Sequence, residues 1–561
     1  GQGLTGTDTS LSDLSDGRNV DHYTLGPASG ADGYDGKQAW TQDSSGTVNI
    51  ENGGDALPLA INNAYRNANL WWKPDFGGAA VKDAGSRSAD GRHYDVLTFT
   101  PRNGKPFDAW FDGTTHLLAR VVERQGPQTV VTTYSDYRPT DGAQFPHKVV
   151  VDSGLGAKYL QTVTPTSLQF VPAQPAETYA PPRVTVADFS IAGNAAQTQF
   201  PIYLYNNHIY ADASVDGSAP MNFIFDTGGH NILVPSTAKA LGIKAEGAMP
   251  GTGVGNKAQD FGLAKVQALK VGDATFRNQV VGVLDFEPDG VEGVTIKGMV
   301  GFEVFKRFVT RIDYGAHTMT LIDPKHFDPK DAGTPIPFVF DGDDPEVNGS
   351  FEGIPAKFDI DTGARDELTL TAPFVAAHDL RAKHPKGVDA VEGWGVGGAS
   401  RGYVTRGAEL AIGPVKIPGV VTSLSTQKKG AFASPSFQGN IGGGVLKRFV
   451  VTFDYVDQIM YLKPLPAPVA DVGVFDRSGT WIDAVKDGVA VMDVTGGGPA
   501  QAAGLKAGDV ITEVDGKPAA SIPLYELRRQ WRDEPAGTLV NLVVKRGTAS
   551  RKVALTLRDQ I

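Results

Sequence analysis

The sequence predicts a mainly β protein built from several domains. Short apolar segments with two-residue alternation recur between turn residues, and glycine and proline are abundant, at 68 and 36 of 561 residues. One long segment is also given twice, in the same order, which is the mark of a duplicated structural unit. A chain of 561 residues accommodates three to four domains. Prolines 172, 175, 181 and 182, and the run Pro464-Leu465-Pro466-Ala467-Pro468, read as linkers. They divide the chain into expected units at 1–185, 195–330, 331–465 and 470–561.

Residues 1–185 read as all-β. Strand-like segments such as His93–Thr100 and the β-branched run Thr129–Tyr134 are separated by turns at Asp35-Gly36, Asn103-Gly104, Asp112-Gly113 and Asp141-Gly142. The phrases Trp110-Phe111-Asp112-Gly113-Thr114-Thr115 and Tyr134-Ser135-Asp136-Tyr137-Arg138 resemble the lipoprotein-carrier (LolA-like) half-barrels of the bacterial periplasm. The resemblance implies a β half-barrel whose concave face can hold acyl chains, or an accessory that assists folding or presents substrate. Such domains open with a helix, whereas this chain begins at Gly1-Gln2-Gly3 in what reads as a strand. Either the chain was trimmed or another segment completes the barrel.

The duplicated segment follows. Met221-Asn222-Phe223-Ile224-Phe225 runs into Asp226-Thr227-Gly228, and Ala356-Lys357-Phe358-Asp359-Ile360 runs into Asp361-Thr362-Gly363. Each reads as a hairpin whose second strand delivers an aspartate at its end. Gly298-Met299-Val300-Gly301 and Gly439-Asn440-Ile441-Gly442 come next, and each unit closes on a strand ending Asp-Tyr, at 313–314 and 454–455. The offset is 135 residues between the Asp-Thr-Gly copies and 141 at the later motifs.

These paired motifs, over about residues 195–465, resemble the retropepsin- and pepsin-like aspartic peptidases, and imply a bilobal β-barrel protease core. The resemblance makes Asp226 and Asp361 the catalytic pair, with Thr227, Gly228, Thr362 and Gly363 supporting the catalytic loops, the threonines as that family's fireman's grip. Two carboxyl groups a hydrogen bond apart cannot both ionise cheaply, so the pair shares one proton and can act as base and acid at once. The glycines let backbone amides approach the carboxylates where a Cβ would intrude. Asn440 is polar where the family prefers an apolar residue. Gly229 stands where pepsin-like enzymes place a serine, which leaves Asp226 with fewer side-chain donors and points to a mildly acidic pH optimum. Ala364 matches the retropepsins.

Glycine-rich segments follow each catalytic loop, with Gly253, Val254 and Gly255 in the first and Trp394, Gly395 and Val396 in the second. They resemble flaps that close over a bound peptide and exclude water, Trp394 standing in for the family's flap tyrosine. His230 and Arg365, just past the catalytic loops, are candidates to face the substrate cleft. Asp359 shares a strand face with Asp361 and is read as a structural hydrogen-bonding residue.

The last unit contains Gly498-Pro499-Ala500, Ala503-Gly504-Leu505-Lys506-Ala507-Gly508-Asp509-Val510-Ile511 and Val514-Asp515-Gly516-Lys517-Pro518, a string that resembles bacterial PDZ domains. Ser521 reads as the N-cap of a helix beginning around Pro523–Leu527. Strands around 539–545 and 552–557 close the unit. The resemblance implies an extended peptide bound along a sheet edge, with 476–481 as the groove edge. A purely structural domain packed on the protease is the alternative.

Composition bounds the rest. The formal charge of −11 argues against nucleic-acid or anionic-membrane partners. No stretch approaches the length of about 18 apolar residues needed to span a bilayer as a helix. With no cysteine, thiol catalysis, disulfides and thiolate metal sites are absent. The 10 histidines form no His-Glu-x-x-His pattern, which demotes a zinc peptidase, and no nucleophile elbow accompanies a serine triad. The sequence therefore leads to a monomeric aspartic endopeptidase needing no metal or cofactor, acting on peptides or proteins. The resemblance of its accessory domains to periplasmic ones implies a periplasmic or secreted protein of a Gram-negative bacterium, its signal peptide removed. The rival readings are a non-catalytic peptide- or lipid-binding protein that keeps the protease shape, and a scaffold dominated by its accessory domains.

Overall fold

The computed structural model describes the whole chain except Gly1, Thr185, Asn256, residues 287–290, Pro468 and residues 470–472. The first residue of the expected N-terminal strand and the last proline of the second linker therefore lie outside the described residues. The fold is mainly β, arranged in several sheets, with a PDZ domain at the C-terminal end.

The N-terminal region holds two antiparallel meanders. Five strands between Gly6 and Ile50 form one sheet, and seven strands between Ala80 and Val163 form the other. Between them runs a helix, Ala56–Asn67, which corrects the all-β expectation for this region. Its Pro58 reads as a breaker but sits in the first turn, where the missing amide donor costs nothing. The helix buries Ala64 and Tyr65. Tyr65, Trp71, Phe99, Phe107 and Val121 then make the core between helix and seven-stranded sheet. Gln2 and Gly3 lie in a turn, and the first strand starts only at Gly6.

Both copies of the repeat fold alike. Met221–Phe225 pairs in parallel with Gly298–Val300, and Ile354–Ile360 pairs in parallel with Gly439–Ile441. Each aspartate's amide then continues the pairing: Asp226 N donates to Val300 O and Asp361 N to Ile441 O, both at 3.0 Å.

The copies are joined by an antiparallel sheet of six strands. Gln197–Pro201, Thr318–Ile322 and Val309–Asp313 come from the first copy, and Phe449–Asp454, Ile459–Pro464 and Thr334–Asp341 from the second. At its centre Arg311 lies opposite Thr452. The offset of 141 residues maps one of these positions onto the other, so a pseudo-twofold axis passes between them. One apolar core runs through both copies and includes Phe223, Phe225, Phe305, Phe358, Phe453 and Tyr455. Truncating such a phenylalanine to alanine costs about 3–5 kcal/mol.

The C-terminal domain has its own core of Ile482, Val491, Leu527, Trp531, Val544 and Leu555. Its helix spans Leu524–Asp533 with Pro523, not Ser521, in the N-cap position. Ser521 lies in the preceding short turn, and its hydroxyl donates to Pro518 O at 2.7 Å. Among the described residues no helix is long and apolar enough to cross a membrane.

Candidate active site

Two strand-to-loop turns bring Asp226 and Asp361 together, and their carboxyl groups share a hydrogen bond. The loops are locked by reciprocal bonds. Thr227 N donates to Thr362 Oγ1 and Thr362 N to Thr227 Oγ1, each at 3.0 Å. Each hydroxyl then donates across the axis, Thr227 Oγ1 to Ile360 O at 2.8 Å and Thr362 Oγ1 to Phe225 O at 3.0 Å. Both threonines are fully buried, so every one of these donors would be costly to leave unpaired.

The backbone supplies donors to the carboxylates. Gly228 N and Gly229 N each reach Asp226 Oδ1 at 3.1 Å, and Gly363 N reaches Asp361 Oδ1 at 2.7 Å. Asn440 Nδ2 adds a bond to Asp361 Oδ2 at 2.9 Å. Burial pushes both carboxyl groups above the usual carboxylate range. The charge of Asp361 adds to the effect on Asp226, while Asn440 and the amides of Gly363 and Ala364 oppose it at Asp361. Substituents have no room here. A Cβ at Gly228 would collide with the Asp344 carboxyl, one at Gly363 with the Asp226 carboxyl, and one at Gly229 with the sulfur of Met299. The last collision explains why the position held by serine in pepsin-like enzymes carries glycine in this chain.

The expected flap segments converge from the two copies. Gly255 N donates to Val396 O at 2.9 Å, and the strand tips pack so closely that a Cβ on Gly253 would lie 2.9 Å from that of Val396. Gln427 Nε2 holds Val254 O at 3.1 Å. Gly395 abuts Val254, and Trp394 is half-buried opposite Ala399 in the second hairpin.

His230 and Arg365 are engaged elsewhere. His230 bridges Glu303, at 3.1 Å from Nδ1, and Asp343, at 3.2 Å from Nε2. Burial alone would lower its pKa, but those two carboxylates push it up to about 10. Arg365 turns to the C-terminal domain and not to the cleft: it pairs with Glu292 at 3.3 Å and lies over the Trp481 ring, 5.1 Å from its centre. Arg528 of the C-terminal helix joins both, 3.3 Å from Glu292 and 4.6 Å from the Trp481 ring centre. Arg528 also donates to Ile482 O at 2.6 Å. The stretch 476–481 is therefore not an open groove edge, because Trp481 is buried between two guanidinium groups from opposite domains.

Asp359 also departs from expectation, since its buried Oδ1 has no hydrogen-bond partner among the described residues. Two neighbours of the pair were not foreseen. Asp344 places a third buried carboxyl against Gly228, and burial followed by the charges of Asp361 and Asp226 drives its pKa well up. Tyr455 donates its hydroxyl to Thr227 O at 2.8 Å, across the axis from its own copy. The repeated Asp-Tyr ending was the only available signal for the tyrosine, and Asp344 left none in local sequence.

Comparison with known proteins agrees at the level of families. A family model described as aspartyl protease matches residues 211–304, and one described as PDZ domain matches residues 478–557. Solved structures with similarity include a photosystem II D1 C-terminal processing protease, at 31% identity over 15% of this chain and 23% of that one, with a TM-score of 0.14. A putative outer membrane lipoprotein-sorting protein domain from Vibrio parahaemolyticus is 11% identical over 31% of this chain and 81% of that one, with a TM-score of 0.22. A retropepsin-like aspartic protease from Rickettsia conorii is 19% identical over 22% of this chain and 89% of that one, with a TM-score of 0.17. No curated protein matches the chain.

Proposed function

We propose that the chain is an aspartic endopeptidase in which Asp226 and Asp361 activate a water molecule against a peptide bond. The observation that carries this reading is the hydrogen bond between the two carboxyl groups, held by the reciprocal threonine bonds beneath them. Asp361 receives bonds from Gly363, Ala364 and Asn440, whereas Asp226 receives two amides. That imbalance favours ionised Asp361 and a proton on Asp226 at the start of the cycle.

Water lying between them loses a proton to Asp361 as its oxygen bonds to the carbonyl carbon. The carbonyl π electrons move to oxygen, which takes the proton from Asp226, giving a neutral tetrahedral diol. Collapse of the diol breaks the carbon–nitrogen bond, and the departing nitrogen takes the proton now held by Asp361. No charge leaves the site at any step, which suits buried carboxyl groups.

The converging tips at 251–255 and 393–398 would lie over the substrate and exclude bulk water. The C-terminal domain would recruit an extended peptide segment or partner, and the N-terminal region would assist folding or present substrate. A periplasmic or secreted location suits this set of domains. The experiment is digestion of a proteome-derived peptide library by the wild type and by Asp226→Asn, with a statine-type peptide as inhibitor. Cleavage that is blocked by the inhibitor and absent in the variant supports the reading; equal cleavage by both proteins ends it.

A further inference from the structure

The strands Thr334–Asp341, Asp344–Phe351 and Ile354–Ile360 present two unlike faces. One carries Phe340, Val347 and Phe358 into the core. The other, by strand alternation, carries Asp341, then Asp344 and Glu346, then Lys357 and Asp359, and leads to Asp361 just past its end. Glu346 and Asp359 are direct cross-strand partners, as are Asp341 and Asp344.

One carboxylate oxygen from each of Asp341, Glu346 and Asp359 lies within 4.8 Å of the other two. Glu346 is 3% exposed and Asp359 7%. Oε1 of Glu346 is occupied by Lys357 Nζ at 2.8 Å and by the Gly54 amide at 3.4 Å. Its Oε2, with Oδ1 of Asp359, is buried without a hydrogen-bond partner among the described residues. The N-terminal region forms the opposite wall, where Gly54 packs so closely that a Cβ would collide with the Asp341 carboxyl. The adjoining Gly53 N donates to Phe340 O at 2.7 Å. Three carboxylates set against the single ammonium of Lys357 leave two negative charges in a closed space.

We propose that Asp341, Glu346 and Asp359 hold a divalent cation of the calcium class, tying the N-terminal region to the second copy of the repeat. The donor set is oxygen alone, which favours calcium, magnesium or manganese over zinc or copper. Oxygens bound to one calcium at about 2.3–2.6 Å stand at most about 5 Å apart, whereas magnesium at about 2.0–2.1 Å admits only about 4.2 Å. The observed span of 4.8 Å fits calcium without rearrangement. The ion balances the two excess charges, gives the two unpartnered oxygens a ligand, and takes its remaining ligands from water. It stands apart from the hydrolytic chemistry, so its binding is read without an activity assay.

The test is calorimetric titration of the full chain with calcium chloride near neutral pH after removal of metal with a chelator, with magnesium chloride as comparison and thermal melts in parallel. One calcium per chain, a melting temperature that climbs with calcium, and weaker magnesium binding are expected. Asp359→Asn and Glu346→Gln should each weaken calcium binding by at least about tenfold. Both should melt no lower than the metal-free wild type, because each removes a buried charge, which shows that they fold. Absence of heat and of any melting shift for the wild type up to about 10 mM calcium, tenfold beyond weak extracellular sites, would overturn the proposal in favour of protons shared among the carboxyl groups. Unchanged binding in both variants would also overturn it, by locating the ion elsewhere.

Discussion

Asn440 donates a hydrogen bond to Asp361 at 2.9 Å, while the matching position of the first copy holds Met299, whose sulfur packs beside Gly229. A duplicated frame thus carries an unsymmetrical pair of carboxyl groups. The polar residue, unusual against the family pattern, is what distinguishes the two aspartates. Asn440→Leu should lower kcat by about tenfold to a hundredfold, the worth of a hydrogen bond of about 1.5–3 kcal/mol to a charged group. Peptide hydrolysis at saturating substrate measures it, and an unchanged kcat would remove the asymmetry from the mechanism.

Asp226→Asn and Asp361→Asn should each reduce peptide cleavage by at least about 10²–10⁴-fold, the usual contribution of a positioned acid or base. Circular dichroism should be unaltered, because the amide keeps the carboxyl's shape and can still accept from the loop amides.

The pH dependence follows from Asp226, whose carboxyl is pushed above its ordinary range by burial and then by the charge of Asp361, with Asp344 also facing the pair. The folded chain keeps this proton at pH values where the unfolded chain has lost it. Stability from this group is therefore full below the ordinary carboxylate pKa and declines as pH rises through the raised value. Activity and melting temperature should both fall on the alkaline side. Asp226→Asn should flatten the melting profile there, and a wild-type melting temperature that rises with pH across this window would contradict the assignment.

Thr362→Val removes the hydroxyl that accepts from Thr227 N and donates to Phe225 O. Leaving those buried groups unpaired should cost about 1–3 kcal/mol. Thr227→Val should cost a similar amount for the same reason, read from denaturant unfolding, with kcat falling in both variants because the carboxyl groups lose their relative position. If either valine variant unfolds like the wild type, the grip contributes nothing.

Glu292 is 2% exposed and pairs with Arg365 from the second catalytic loop and Arg528 from the C-terminal helix. Removing one member of a buried ionic set typically costs about 3–5 kcal/mol. Glu292→Gln should therefore release the C-terminal domain and expose the linker around 464–469 to limited proteolysis. Cleavage as slow as in the wild type would mean that other contacts hold that domain in place.

The paired carboxyl groups were legible in the sequence because a duplication writes its symmetry as a constant offset. The helix Ala56–Asn67 was hidden by Pro58, which local rules treat as a breaker unless the helix start is already known. Asp344, Tyr455 and the Arg365–Glu292–Arg528 network could not be read, since their partners lie far away along the chain and nothing in the neighbouring residues encodes them. Gly229 shows the converse. Its identity was visible, but its reason, the sulfur of Met299, required the fold.

The central pair Arg311 and Thr452 has a consequence for biosynthesis. Until the second copy has been made, the strand Val309–Asp313 is an edge with half its backbone groups open, the kind of surface that invites stray association. The nascent chain must therefore be shielded until nearly all of it has emerged. A molecule finished only by its last strands stays inert throughout translation and export, and matures in one late step.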